Sequence, residues 1–169
     1  PFNLPDVGNT SVPTFGDLDG DGDLDLLVVE DNGRFNYFEN TGTLTAPFFV
    51  ADSDNGTDPG PFNLPNEGLS FSTEFGDLDG DGDLDLLGGS ATGALLYFEN
   101  TGTPTAPAFA SVTVAPFSLP NVGFDSTPAF GDLDGDGDLD LLIGEQDGVF
   151  SYFENTTVCP VIGASAVLT

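Results

Sequence analysis

The sequence predicts an all-β chain of three tandem repeats, each a four-stranded antiparallel sheet. Three observations carry that prediction. The thirteen residues Phe15 to Leu27 return unchanged at Phe75 to Leu87 and at Phe130 to Leu142. The apolar segments have strand lengths or alternate with period two, and none shows a 3.6-residue period. The 23 glycines and 13 prolines imply many turns and little helix.

The repeats run 1–60, 61–115 and 116–157, and a divergent segment follows at 158–169. Each opens alike: Pro1-Phe-Asn-Leu-Pro5, Pro61-Phe-Asn-Leu-Pro65 and Pro116-Phe-Ser-Leu-Pro120. From opening Pro to loop Phe is 14 residues in every copy, and from there to Phe38, Phe98 or Phe153 is 23. The first copy alone carries Asp52 to Pro59, a surface-loop insertion.

Within one unit, a short strand at Thr14–Gly16 leads into an acidic loop. Leu24 to Val29, apolar apart from Asp25, reads as a strand buried on both faces. Asp31-Asn-Gly33 is a hairpin turn, matched by Thr92-Gly93 and Asp147-Gly148. In the next strand Phe35 and Tyr37 share one face, and Asn36 and Phe38 the other. Pro47 to Ala51 is a fourth, outer strand, where Pro is tolerated at the start. A lone sheet of this size leaves apolar faces wet, so neighbouring units must cover one another. The third unit departs after Asn155, ending in the apolar Val161 to Leu168.

The acidic loop carries the chemistry. Each copy places five aspartates in nine residues, and carboxylates that close repel unless a cation lies among them. In the first loop they are Asp17, Asp19, Asp21, Asp23 and Asp25, at positions 1, 3, 5, 7 and 9, with Gly22 at 6. The others are Asp77, Asp79, Asp81, Asp83 and Asp85, then Asp132, Asp134, Asp136, Asp138 and Asp140. Alternate residues of a tight loop can point at one ion, and calcium takes six to eight oxygens at about 2.3–2.6 Å. The spacing makes Asp17, Asp19 and Asp21 side-chain ligands and Asp25 the closing carboxylate. Asp23 gives its backbone carbonyl, which leaves its side chain free. Magnesium prefers a smaller, wetter shell. Zinc lacks its ligands, since there is no His and one Cys. An EF-hand needs a Glu at position 12, where this chain has Val28, Gly88 and Ile143. A solvated acidic turn would need no letter-for-letter repetition.

Composition narrows the function. The net charge is −28, and Arg34 is the one basic residue. Nucleic acid is excluded as a partner, since phosphate binding needs Lys and Arg, and so is adsorption to an anionic membrane. No run reaches the roughly 18 apolar residues of a membrane helix. Nucleophilic triads are absent, with no His or Lys, and Cys159 stands without a partner. The chain is therefore read as a non-enzyme. Tyr37, Tyr97 and Tyr152 are candidates for sugar stacking or for core. Glu39, Glu99 and Glu154 are turn-side acids or a second cation site between units. Three glycosylation sequons begin at Asn9, Asn55 and Asn155.

Phe-Gly-Asp-Leu-Asp-Gly-Asp-Gly-Asp-Leu-Asp-Leu-Leu, followed by Tyr37-Phe-Glu-Asn-Thr-Gly-Thr43 and Thr45-Ala-Pro47, closely resembles the FG-GAP/VCBS repeat. That is the calcium-binding blade of integrin α-subunit propellers and of many large bacterial surface proteins. The resemblance implies blade-like sheets, extracellular location, and calcium on the matching aspartates of each loop, three ions in all. It does not imply one function. Closed propellers have about four to eight blades, and three are present, so the alternatives are an open linear stack or part of a β-propeller. The expected function is a calcium-rigidified module of an extracellular adhesin, matrix or fibre protein, self-associating end to end into an array or filament. The second reading is a lectin-like or integrin-like propeller that binds a carbohydrate or surface protein.

Overall fold

A computed structural model describes residues 4–57, 59–68 and 71–156. Cys159 and the divergent segment lie outside the described residues. Among the described residues, eleven strands form three antiparallel sheets. The first is β1 (Val12–Gly16), β2 (Asp25–Val29), β3 (Phe35–Asn40) and β4 (Phe49–Ala51). The second is β5 (Phe71–Gly76), β6 (Asp85–Ser90), β7 (Leu95–Phe98) and β8 (Thr113–Val114). The third is β9 (Thr127–Gly131), β10 (Asp140–Gly144) and β11 (Phe150–Phe153). Strands pair in chain order in every sheet, so each repeat is a meander.

Register is the same in each copy. Phe15 faces Leu26, Phe75 faces Leu86 and Phe130 faces Leu141. The Asp-rich loop therefore always joins the first two strands, from Gly16 paired with Asp25 outward. β2 is buried along its whole length, the apolar run Leu26 to Val29 together with Asp25 at its start, while Leu24 just before it is exposed. The turn into β3 closes with Gly33 N–H donating to the Glu30 carbonyl at 3.0 Å, with Gly33 at φ 79°.

Two outer strands depart from the expected pattern. In the second repeat the outer strand is Thr113–Val114, pairing with Leu96 and Tyr97. The sequence counterpart of Phe49 is Phe109, which makes only an isolated bridge to Asn100. The third sheet has three strands among the described residues, where the sequence reading expected four.

The opening Pro-Phe-Asn-Leu-Pro also has a structure that no period announces. Pro61–Asn63 and Pro116–Ser118 are single 3-10 turns. Phe62 and Phe117 sit there at φ 54° and 53°, a conformation costly to a side chain bearing Cβ. The turn carries each ring back onto the preceding repeat. Phe62 meets Tyr37 at 4.5 Å between centroids, and Phe117 meets Tyr97 at 5.0 Å. Such aromatic pairs add about 0.5–1.5 kcal/mol beyond their burial.

The core lies between sheets. Leu27, Val29, Phe35 and Tyr37 of the first repeat pack on Phe71, Leu86 and Phe98 of the second. The Phe35 ring stands edge-on to Phe71 and Phe98 at 5.7 and 5.8 Å. Leu87, Leu95 and Tyr97 of the second pack likewise on Leu141 and Ile143 of the third. The insertion caps the first sheet's edge: Asn55 Oδ1 accepts from Tyr37 N–H at 2.7 Å, and its Nδ2 donates to the Tyr37 carbonyl at 2.9 Å.

Candidate metal centre

Each acidic loop is shaped by its own carboxylates. In the first, Asp17 Oδ1 and Oδ2 accept from Gly20 N–H at 2.8 Å and Gly22 N–H at 3.1 Å. Asp19 Oδ1 accepts from Asp21 N–H and Asp21 Oδ1 from Asp23 N–H, at 3.1 and 3.0 Å. Gly22, at φ 96°, takes the left-handed turn that brings the chain back. The second loop repeats all four bonds, and the third repeats those at Gly135, Asp136 and Asp138.

These turns gather oxygens. One carboxylate oxygen from each of Asp17, Asp19 and Asp25 lies within 4.8 Å of the others. The second loop does the same with Asp77, Asp79 and Asp85, the third with Asp132, Asp134 and Asp136. That spacing is the diameter of a shell with oxygens about 2.4 Å from one cation. Asp21, Asp81 and Asp140 lie outside these groups of three.

The position-7 aspartates depart from the sequence reading, which left the Asp23 side chain free. Asp23, Asp83 and Asp138 are all more than nine-tenths buried. Asp23 Oδ1, Asp83 Oδ1 and both side-chain oxygens of Asp138 have no hydrogen-bond partner. Burial pushes the Asp23 and Asp138 carboxyls up from their ordinary value, helped by Asp21 and Asp136. Asp83 is pushed up to about 6 by burial and then by Asp81, Asp85 and Asp79. The Asn40 side chain bonds the Asp23 carboxyl, so there it is one oxygen that is left over; a buried carboxylate oxygen without a donor is costly unless a cation compensates it. The residues present therefore suit a hard, oxygen-ligated metal.

The position-9 aspartates hold the loop to its sheet. Asp25 Oδ2 accepts from Leu18 N–H at 3.0 Å and from the Tyr37 hydroxyl at 2.9 Å. Asp25 Oδ1 accepts from Asn40 N–H at 2.8 Å. Asp85 repeats the set with Leu78, Tyr97 and Asn100. Asp140 accepts from Leu133 and Asn155, and its carboxyl also bonds Tyr152. Burial raises Asp25 and takes Asp85 to about 6, against the lowering effect of those donors. At Asp140 burial also raises, but the donors outweigh it and the carboxyl is lowered. Burial, then the adjoining aspartate, pushes the Tyr37 and Tyr97 hydroxyls up, so both stay protonated donors.

The sequence reading did not assign Tyr and Asn these roles. The signal was present: Asp to Tyr is 12 residues and Asp to Asn is 15 in every copy. Asn40 Oδ1 in turn accepts from Gly42 and Phe48 N–H at 3.2 and 2.9 Å, fixing the next turn. Glu39, Glu99 and Glu154 are exposed and belong to none of the oxygen groups among the described residues.

A family model, that of the FG-GAP-like repeat, matches the chain twice, over residues 17–88 and 77–143. The two matches together span well over half of the sequence. The chain belongs to the FG-GAP-like repeat family. Both FG-GAP matches begin on the first aspartate of an acidic loop, Asp17 or Asp77, and both run through the following loop. No curated protein matches the chain in sequence. No helix among the described residues is long and apolar enough to cross a membrane.

Proposed function

We propose that this chain is a calcium-clamped structural module of an extracellular adhesin, matrix or fibre protein. The observation that carries the reading is the buried, unpartnered oxygen at position 7 of all three loops. In each loop that oxygen lies in a run of five aspartates, where a cation would compensate it. Calcium suits a donor set of carboxylates and loop carbonyls, with no His or thiolate. Asp17, Asp19 and Asp21 and their counterparts would hold it, with Asp23 beside them and Asp25 anchoring the loop. The family supports the extracellular placement, because FG-GAP repeats usually occur in extracellular proteins.

In this reading the ion does mechanical work. It neutralises a loop that could not otherwise lie against the end of a sheet, and so fixes the β1–β2 hairpin. Three divalent ions would remove six of the 28 net negative charges, which also lowers repulsion between molecules. End-to-end self-association belongs to the same proposal. The carbohydrate-binding alternative loses its aromatic platform in the first two repeats. There Tyr37 and Tyr97 are buried with their hydroxyls on Asp25 and Asp85.

Calorimetric titration and thermal melting test the reading together. We expect three calcium equivalents bound and a large rise in melting temperature. Ligand binding to the native state stabilises by about 4 kcal/mol per site at a thousandfold excess over Kd. Identical melting in chelator and in millimolar calcium would overturn it.

A further inference from the structure

The second repeat touches the first acidic loop at two points. Leu84, at position 8 of the second loop, packs on Gly16 at the base of the first, where a Cβ would stand 3.3 Å from its methyl group. Thr105 meets the tip: a Cβ on Gly20 would collide with the Thr105 methyl group and stand 3.3 Å from its Cβ. Gly20 separates Asp19 from Asp21, and its N–H donates to Asp17 Oδ1 at 2.8 Å. Thr105 therefore presses on the stretch of backbone that carries the candidate ligands of the preceding repeat.

The second acidic loop holds Thr105 in that position. Thr105 sits in a tight turn, closed by Ala106 N–H donating to the Thr103 carbonyl at 3.0 Å. The turn hangs on Asn100, whose Oδ1 accepts from Gly102 N–H and from Ala108 N–H, both at 3.0 Å. Asn100 N–H in turn donates to Asp85 Oδ1 at 2.8 Å, and both residues are buried. Asp85 also gives an oxygen to the second loop's group with Asp77 and Asp79. A continuous chain of contacts thus runs from that oxygen group through Asp85, Asn100 and Thr105 to Gly20 in the first loop.

We propose that Thr105 is a positioning residue for the metal loop of the preceding repeat, and that the first two loops bind calcium as a coupled pair. The inference rests on the calcium reading above. With the second loop filled, Asp85 is fixed, the turn on Asn100 is fixed with it, and Thr105 stays on Gly20. The first loop then has less backbone freedom to lose when it closes on its own ion. Coupling of binding free energies is reciprocal, so filling the first loop favours the second by the same factor. Leu84 packs against the apolar core around Leu18 and Phe75, which holds it whether or not the loops are filled. Thr105 is exposed apart from its contact with Gly20, so the turn on Asn100 sets its place.

Calcium titration of the full chain, followed by amide NMR, tests this. The Gly22 and Gly82 N–H groups, bonded to Asp17 and Asp77, report the two loops separately. In the unsubstituted chain both loops should fill together, with a Hill coefficient above one. Asp77→Asn with Asp79→Asn empties the second loop and should weaken the first by about fivefold or more. Thr105→Gly should weaken the first loop by a similar factor, and emptying the second loop should then cost it little more. A general loosening of the fold would instead add to the Thr105→Gly loss. Thr105→Val keeps the methyl contact and should restore the coupling. If the loop variant does not fold, the unsubstituted and Thr105→Gly titrations decide alone, since the joint filling should separate in Thr105→Gly. Loops that fill independently in the unsubstituted chain overturn the coupling and leave the calcium reading intact. So does a first loop that binds as tightly, or more tightly, once the second is empty. Coupling that survives Thr105→Gly overturns the role of Thr105. Absence of calcium at every loop overturns both readings.

Discussion

The Tyr37 hydroxyl donates to Asp25 Oδ2 at 2.9 Å, across the two central strands of the first sheet. The bond joins the acidic loop to the interface between repeats, because the same tyrosine ring packs on Phe62 of the next repeat. One side chain thus couples metal loop, sheet and neighbour, and Tyr97 does the same on Asp85 and Phe117.

Tyr37→Phe keeps the ring and removes the donor. Hydrogen bonds to charged groups contribute about 1.5–3 kcal/mol. We expect a loss in that range in denaturant unfolding of the metal-free chain, with weaker binding at the first loop alone. Unchanged unfolding and unchanged titration would show that Leu18 and Asn40 suffice to hold Asp25.

Asp23→Asn should act with opposite signs in the two states. Without metal it removes a buried charge that faces Asp21, Asp19 and Asp17, so the metal-free chain gains stability. With calcium it removes an oxygen charge the ion would compensate, so affinity at the first loop falls at least tenfold. Melting curves in chelator and in calcium read both effects. A loss of stability in chelator would mean that the Asp23 carboxylate is satisfied without metal.

The metal-free chain should also lose stability as pH rises. Asp83 and Asp85 are raised from 3.8 to about 6 in the folded chain. The fold therefore favours their protonated forms. Their contribution is complete below pH 4 and is lost as pH climbs through about 6. Metal-depleted protein should melt higher at pH 4.5 than at pH 7, and calcium should raise the pH 7 value most. A metal-free melting temperature flat across this window would contradict those shifts.

Of the three sequons, one suits a glycan. Asn9 is exposed. Asn55 uses both ends of its amide on Tyr37, and Asn155 is 1% exposed with Nδ2 donating to Leu139. Folded chain secreted from a eukaryotic host should carry at most one N-glycan, removed by Asn9→Gln. Peptide mapping that finds a glycan at Asn55 in native protein would refute this.

Several features followed from residue order because they are local. The identical loops, the Asp31-Asn-Gly33 turn and the alternation of Phe35 to Phe38 are set by spacing within a dozen residues. So is the clustering of Asp17 and Asp19, which their own turn geometry enforces. Other features waited for the tertiary structure because they depend on what another segment covers. The Asp23 side chain reads as free in a lone loop and becomes buried when Asn40 and the sheet close over it. Tyr37 reads as core or sugar platform, and its hydroxyl finds Asp25 only once β2 and β3 are in register. The left-handed Phe62 carries no periodic signal, since its conformation answers to a ring in the preceding repeat. The sequence alone determined three equivalent units with a charge problem in each. The tertiary structure decided which carboxylates anchor, which are orphaned, and which faces of equivalent units stay uncovered, because burial belongs to neighbours and not to residue order.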